Sequence, residues 1–200
     1  AQPVLIRAGP GTGKTWSMQQ LLFLLAKELC SDGDSYDAIP ECEEVPSEAV
    51  PLRAVPLLIP IQKLARMLRQ RSQEEPTEQA ESNLVLFYIN SEFAAGPTRD
   101  MLLQAFEMRA LIVMLDGVDE AANVKHLVED FVTKTLVPMG VPLLVTSRPE
   151  GIRKRLYARD FVIMNLQPLS GEQQQRIIEK QLRENPFFEQ LLELCAVRKR

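Results

Sequence analysis

Twelve residues near the start, "VLIRAGPGTGKT" at 4–15, restrict the fold more than any other stretch of this chain. An apolar run over 3–8 reads as a short buried strand. Downstream, Met18, Leu21, Leu22, Leu25 and Leu29 recur at helical spacing over 14–30. A turn with three glycines therefore joins a strand to a helix. Ala8, Gly13, Lys14 and Thr15 meet the pattern [AG]xxxxGK[ST]. The glycines let the backbone curl until successive N–H groups point inward as an anion nest. The helix that follows adds the positive end of its dipole. Lys14 can reach β- and γ-phosphates, and the Thr15 hydroxyl can ligate magnesium. The expected nucleotide-contacting set is Gly9, Pro10, Gly11, Thr12, Gly13, Lys14, Thr15 and Trp16, with Thr15 also a metal ligand. The plainer alternative is a glycine-rich turn with no ligand.

The rest of the chain alternates strands and helices. "VPLLIPI" at 55–61 contains Pro56 and Pro60, which cannot donate to a ladder, so an edge strand is expected. A helix follows at about 62–72, and then a polar hinge. The run 83–93 fits helix or strand equally. Thr98, after Pro97, is expected to cap a helix ending near Arg109. "LIVML" at 111–115 has the unbroken apolar character of a strand buried on both faces. Val124, Leu127, Val128, Phe131 and Val132 mark the helix after it. His126 lies off that stripe and reads as exposed. "VPLLVT" at 141–146 and "FVIMNL" at 161–166 are expected as a third and a fourth buried strand, with helices at about 170–183 and 187–197.

Such alternation implies an α/β fold with a parallel sheet and right-handed crossovers, and ligands in these sheets sit beyond the carboxyl ends of the strands. The three most buried strands are followed directly by "GPGTGKT", "DGVDE" and "TSRPE". In the second cluster, Asp116 at a strand end is the expected magnesium-holding carboxylate. Glu120 is favoured as the base for attacking water, with Asp119 a close second that spacing cannot separate. The alternative for both acids is charge placed favourably at a helix start. In the third cluster, Arg148 can sense a terminal phosphate beside Thr146 and Ser147. Its alternative is a capping turn with Arg148 in a surface ion pair.

Composition removes other classes. The net charge of −4 argues against direct nucleic-acid binding. Cys30, Cys42 and Cys195 are sparse and odd in number, as expected of a reduced cytoplasmic chain. The longest apolar run, "LLFLLA" at 21–26, is far short of the roughly 20 residues that cross a bilayer. Residues 31–50 carry seven acidic side chains and no lysine or arginine, which reads as a solvated insertion. Asp32, Asp34 and Glu43 fit three positions of a calcium-loop template, but Tyr36, Asp37 and Pro40 break it. The absent initiator methionine and the early phosphate loop suggest a piece of a longer protein with flanking domains.

The stretches "AGPGTGKT", "LIVMLDGVDEA" and "PLLVTSRPE", in that order and spacing, resemble the NACHT class of STAND P-loop ATPases. "LLIPIQKLARML" at 57–68 and "LQPLSGEQQQRIIEKQL" at 166–182 share the resemblance, which covers nearly the whole chain. It implies a three-layer P-loop NTPase sandwich with strand order 5-1-4-3-2 over residues 1–166. The start of a small helical lid domain would follow over 167–200. It implies ATP/ADP and Mg2+ as cofactors, and a nucleotide-controlled signalling switch of the innate-immune type. The change would run from a closed monomer to a homo-oligomer built with the protein's own flanking domains. By resemblance, Lys14 and Thr15 carry the Walker A roles, Asp116 and Glu120 the Walker B roles, and Arg148 the sensor role. "LLELCAVRKR" at 191–200 lacks the proline that relatives place near adenine.

Other P-loop functions compete with the switch. Guanine specificity would call for NKxD and DxxG, where this chain has "TSRP" and "DGVDE". A small-molecule kinase would use an arginine-rich lid, for which Arg153, Lys154 and Arg155 are candidates. An AAA-type ring motor would use a second sensor arginine, for which Arg176 and Arg183 are candidates. A non-hydrolysing nucleotide-binding module is the remaining alternative.

Overall fold

The computed structural model describes residues 2–31, 54–74 and 83–182. The chain divides into two compact units, residues 1–166 and 167–200. Nearly all of the acidic stretch, the calcium-template residues, Arg183, the 187–197 helix and the 191–200 stretch lie outside the described residues.

The first unit holds a five-stranded sheet, every described pairing of which is parallel. Its strands are β1 (Val4–Arg7), β2 (Val55–Pro60), β3 (Leu111–Asp116), β4 (Leu143–Ser147) and β5 (Val162–Asn165). The order is β2-β3-β4-β1-β5, as the resemblance implied. Proline-bearing β2 takes one edge, where missing N–H groups cost no ladder bond.

Alternation along the strands sorts the side chains into two cores. Leu5, Leu57, Ile59, Leu111, Val113, Leu115, Leu143 and Val145 belong to the larger one. Helices α2 (Ile61–Glu74), α3 (Leu84–Glu92), α4 (Pro97–Glu107) and α5 (Lys125–Phe131) contribute to this core. The intervening residues, Val4, Ile6, Leu58, Ile112, Met114 and Leu144, meet helix α1 (Lys14–Ser31) through Met18, Leu22 and Leu25. Leu21, one of the expected stripe, is 37% exposed, because the buried line of α1 runs through 18, 22 and 25.

Three local expectations need correction. The apolar run 161–166 predicts a buried strand, but Val162 and Met164 of β5 are 41% and 54% exposed. Among the described residues β5 is an edge strand that pairs with β1 alone, and its other face reaches the larger core through Ile163. Thr98 is not a cap. Helix α4 starts at Pro97 with Gly96 at the N-cap, because proline's missing N–H and fixed φ suit the first helical position. The helix after β3 is not uniform. A 3-10 segment (Val118–Val124) leads into α5, which passes through one π turn (Val132–Leu136) to a last α turn (Val137–Met139). The ambiguous run 83–93 is helical, capped by the Asn83 side chain on the N–H groups of Val85 and Leu86. A short helix α6 (Lys154–Tyr157) that the sequence did not announce precedes β5.

In the second unit, helix α7 (Gly171–Leu182) opens with a reciprocal cap. Gln173 N–H donates to Ser170 Oγ, and Ser170 N–H donates to Gln173 Oε1.

Candidate functional site

Parallel register brings the carboxyl ends of β1, β3 and β4 to one edge. Arg7 lies opposite Ser147, and Leu115 opposite Val145. The three polar clusters leave the sheet there.

The turn after β1 is shaped by two glycines with positive φ, Gly11 at 72° and Gly13 at 86°. No atom lies within 4 Å of where their Cβ would stand, so backbone angle, not crowding, demands glycine. Thr12 Oγ1 donates to Gly9 O at 2.8 Å, and Ala8 N–H donates to Ser147 O at 3.0 Å. These bonds hold both ends of the turn. Gly13 O accepts from Ser17 N–H at 2.8 Å, starting the helical ladder of α1. The Lys14 ammonium folds back to Ala8 O at 3.4 Å. Thr15 follows it in the first turn. Trp16 is 50% exposed and Pro10 is exposed.

Asp116 ends β3 and is buried. Its Oδ2 accepts from Thr15 Oγ1 at 2.7 Å, and its Oδ1 from Thr146 Oγ1 at 2.6 Å. Gly117 N–H donates to the same Thr146 hydroxyl at 2.9 Å. One carboxylate thus connects the phosphate loop, β3 and β4. Gly117 turns the chain sharply with φ of 78° into the 3-10 segment that carries Asp119 and Glu120.

The structure separates these two acids. Asp119 Oδ1 accepts from Arg148 N–H at 2.9 Å, and Oδ2 lies 3.1 Å from Arg148 Nε. The Asp119 side chain is only 8% exposed. Glu120 is exposed, and its carboxylate has no hydrogen bond or ion pair among the described residues. Arg148 is therefore in an ion pair, one of the alternatives raised for it. Ser147 is fully buried, with its hydroxyl on Arg148 O at 3.2 Å.

A further group escaped sequence reasoning. Glu129 on α5 is 1% exposed, and it accepts from Arg153 N–H at 3.0 Å and Arg153 Nε at 2.7 Å. Arg153 Nη2 also donates to Asp130 Oδ1 at 3.1 Å. Arg153, a candidate lid residue by sequence, is thus committed to α5. Lys154 and Arg155 are exposed. The hydrogen bond from Lys134 first, and then Arg153, hold the Asp130 carboxyl below its usual range. Beside them Tyr157 is fully buried, and its hydroxyl has no partner among the described residues. Burial, and next the Glu129 charge, push the Tyr157 phenol above its ordinary value. No periodic signal marks Glu129: it lies one position beyond the apolar stripe, and its partner is 24 residues away.

The donor chemistry suits a nucleotide-bound magnesium ion. The Thr15 hydroxyl and the Asp116 carboxylate are hard oxygen ligands in direct contact. Among the described residues no three His, Cys, Asp or Glu side chains gather to cage a metal. An ion held here would draw its remaining ligands from water and phosphate, the usual arrangement for magnesium. No helix among the described residues is long and apolar enough to cross a membrane.

Comparison with known proteins agrees with this geometry. No curated protein matches the chain. The sequence profile of the NACHT domain matches residues 2–185, almost the full length. With its parallel sheet and phosphate loop, the chain belongs to the NACHT domain family and is a nucleotide-binding P-loop NTPase domain.

Proposed function

We propose that this domain binds ATP and ADP with Mg2+, hydrolyses ATP slowly, and works as a switch in a signalling protein. In this reading its nucleotide state controls conformation and homo-oligomerisation together with flanking domains. The protein works in the cytoplasm in innate-immune-type signalling. Residues 1–166 form the nucleotide-binding part, and 167–200 begin a helical lid.

The observation that carries this reading is the bond between Thr15 and Asp116, which joins the phosphate loop to the tip of β3. The N–H groups of residues 11–15 and the Lys14 ammonium would hold the phosphates. Bound magnesium would neutralise charge on the phosphate oxygens, with Thr15 and Asp116 holding it. Glu120 is the better base, because its carboxylate is open while both oxygens of Asp119 are engaged. Asp119 then serves as the tether of Arg148, whose guanidinium senses the terminal phosphate. The sequence signals for guanine are missing, which favours adenine.

Isothermal titration of the chain with ATP, ADP and GTP in magnesium tests the reading. Binding of both adenine nucleotides and much weaker heat with GTP is expected. Equal affinity for GTP would refute the adenine assignment.

A further inference from the structure

Two carboxylates in this structure hold two arginines in the same way. Asp119 takes the main-chain N–H and the Nε edge of Arg148, and Glu129 takes the main-chain N–H and Nε of Arg153. The two arginines bracket residues 148–153, the segment that leaves β4. That segment is therefore fastened at both ends to the chain leaving β3. Between the fastenings there is little slack. A Cβ on Gly151 would stand 2.2 Å from Asp119 Cβ and 3.1 Å from Ser147 Oγ. Gly151 N–H closes the turn on Arg148 O at 3.0 Å, and Ile152 is buried. Gly151, packed against Asp119 and Ser147, thus couples the Arg153 end of the turn to the Arg148 end.

The burial of Glu129 is costly unless the charge is met by well-placed donors. Arg153 meets it with two, while its own side chain stays half exposed. Arg148 is 45% exposed, and its terminal nitrogens form the fork that can face a phosphate.

We propose that Glu129 is a positioning residue: through Arg153 it sets the 148–153 turn, and so fixes where Arg148 presents its guanidinium to the nucleotide. This rests on the proposed sensing role of Arg148. The brace differs from a general core contact in one respect: its effect on nucleotide preference passes through Arg148 alone.

A double-mutant cycle reads that difference. The 200-residue chain is titrated with Mg–ATP and Mg–ADP, and the ratio of the two dissociation constants is taken for wild type, Glu129→Gln, Arg148→Ala and the double variant. Glutamine keeps the volume but sets an NH2 group against one of the two Arg153 donors. Glu129→Gln is expected to shift the ratio by about fivefold or more. Arg148→Ala is expected to shift it in the same direction, and the double variant no further than Arg148→Ala. Arg153→Lys keeps the main-chain donor, removes Nε, and is expected to move the ratio the same way; it stands in if Glu129→Gln does not fold. An unchanged ratio in Glu129→Gln, or in Arg153→Lys used in its place, would overturn the proposal. So would fully additive losses in the double variant. An unchanged ratio in Arg148→Ala would overturn it together with the sensing role. No heat from wild type with either nucleotide would instead overturn the functional reading beneath both.

Discussion

Thr15 and Asp116 are separated by 101 residues of sequence and joined by a 2.7 Å hydrogen bond. The other oxygen of Asp116 is held by Thr146, so this one buried carboxylate joins three segments at the sheet edge. An amide in its place accepts on one oxygen only. Asp116→Asn is expected to lower stability by about 1–3 kcal/mol in chemical denaturation. It should also remove most of the magnesium dependence of ATP affinity, read by titration with and without the metal. Wild-type metal dependence in the variant would show that Asp116 is structural.

Asp119 and Glu120 are neighbours with different surroundings, and their variants should differ accordingly. Glu120→Gln is expected to leave ATP affinity near wild type and slow turnover about a hundredfold or more, as loss of a general base does. Asp119→Asn should lower stability by about 1–3 kcal/mol, since it unmakes contacts to Arg148. Single-turnover hydrolysis and denaturant melts separate the two. Unchanged turnover in Glu120→Gln would transfer the base to Asp119.

Gly151 has no room for a side chain. Gly151→Ala places a methyl carbon 2.2 Å from Asp119 Cβ, so the 148–153 turn must lift from the chain after β3. A loss of about 1–3 kcal/mol is expected, the usual cost of overpacking. Crystallography of the variant should show Arg148 displaced from Asp119. A melt within 0.5 kcal/mol of wild type, roughly the scatter of neutral surface changes, would mean the turn yields easily.

The Tyr157 hydroxyl is buried without a partner among the described residues, and Phe161 packs edge-on against its ring at 5.0 Å. Tyr157→Phe keeps the ring and removes the unmet group, and should raise stability by about 1 kcal/mol. The folded chain holds the phenolic proton more tightly than the unfolded chain does. That contribution is therefore complete below the ordinary value of 10 and is lost as pH rises above it. Denaturant melts from pH 8 to 11 should show an alkaline loss in wild type that is smaller in Tyr157→Phe. Identical profiles would place that loss elsewhere.

Much of this architecture could be read from residue patterns. Apolar runs at 3–8, 55–61, 111–115 and 141–146 are strands, and the unbroken runs of β3 and β4 reflect their near-continuous burial. Pro56 and Pro60 revealed the edge position of β2 through their missing donors. The exposure of β5 was hidden: "FVIMNL" says nothing about whether a helix covers both faces. The Thr98 hydroxyl has the chemistry of a cap, but Pro97 suits the first helical position and leaves Gly96 at the N-cap of α4. At the site, the phosphate loop and Asp116 stand in recognisable local patterns. Spacing could not divide Asp119 from Glu120, because their difference arises from Arg148, 29 residues on from Asp119. Glu129 was invisible for the same reason: a buried charge is explained only by a tertiary partner.

The central claim is that a nucleotide's phosphates rest in the turn of residues 9–15. Amide resonances of the labelled chain, followed while Mg–ATP is added, test it most directly. The largest shifts are expected at Gly11, Gly13, Lys14 and Thr15, with smaller ones at Gly117 and Arg148. Shifts concentrated elsewhere in the sheet, with those six amides unmoved at saturation, would contradict it.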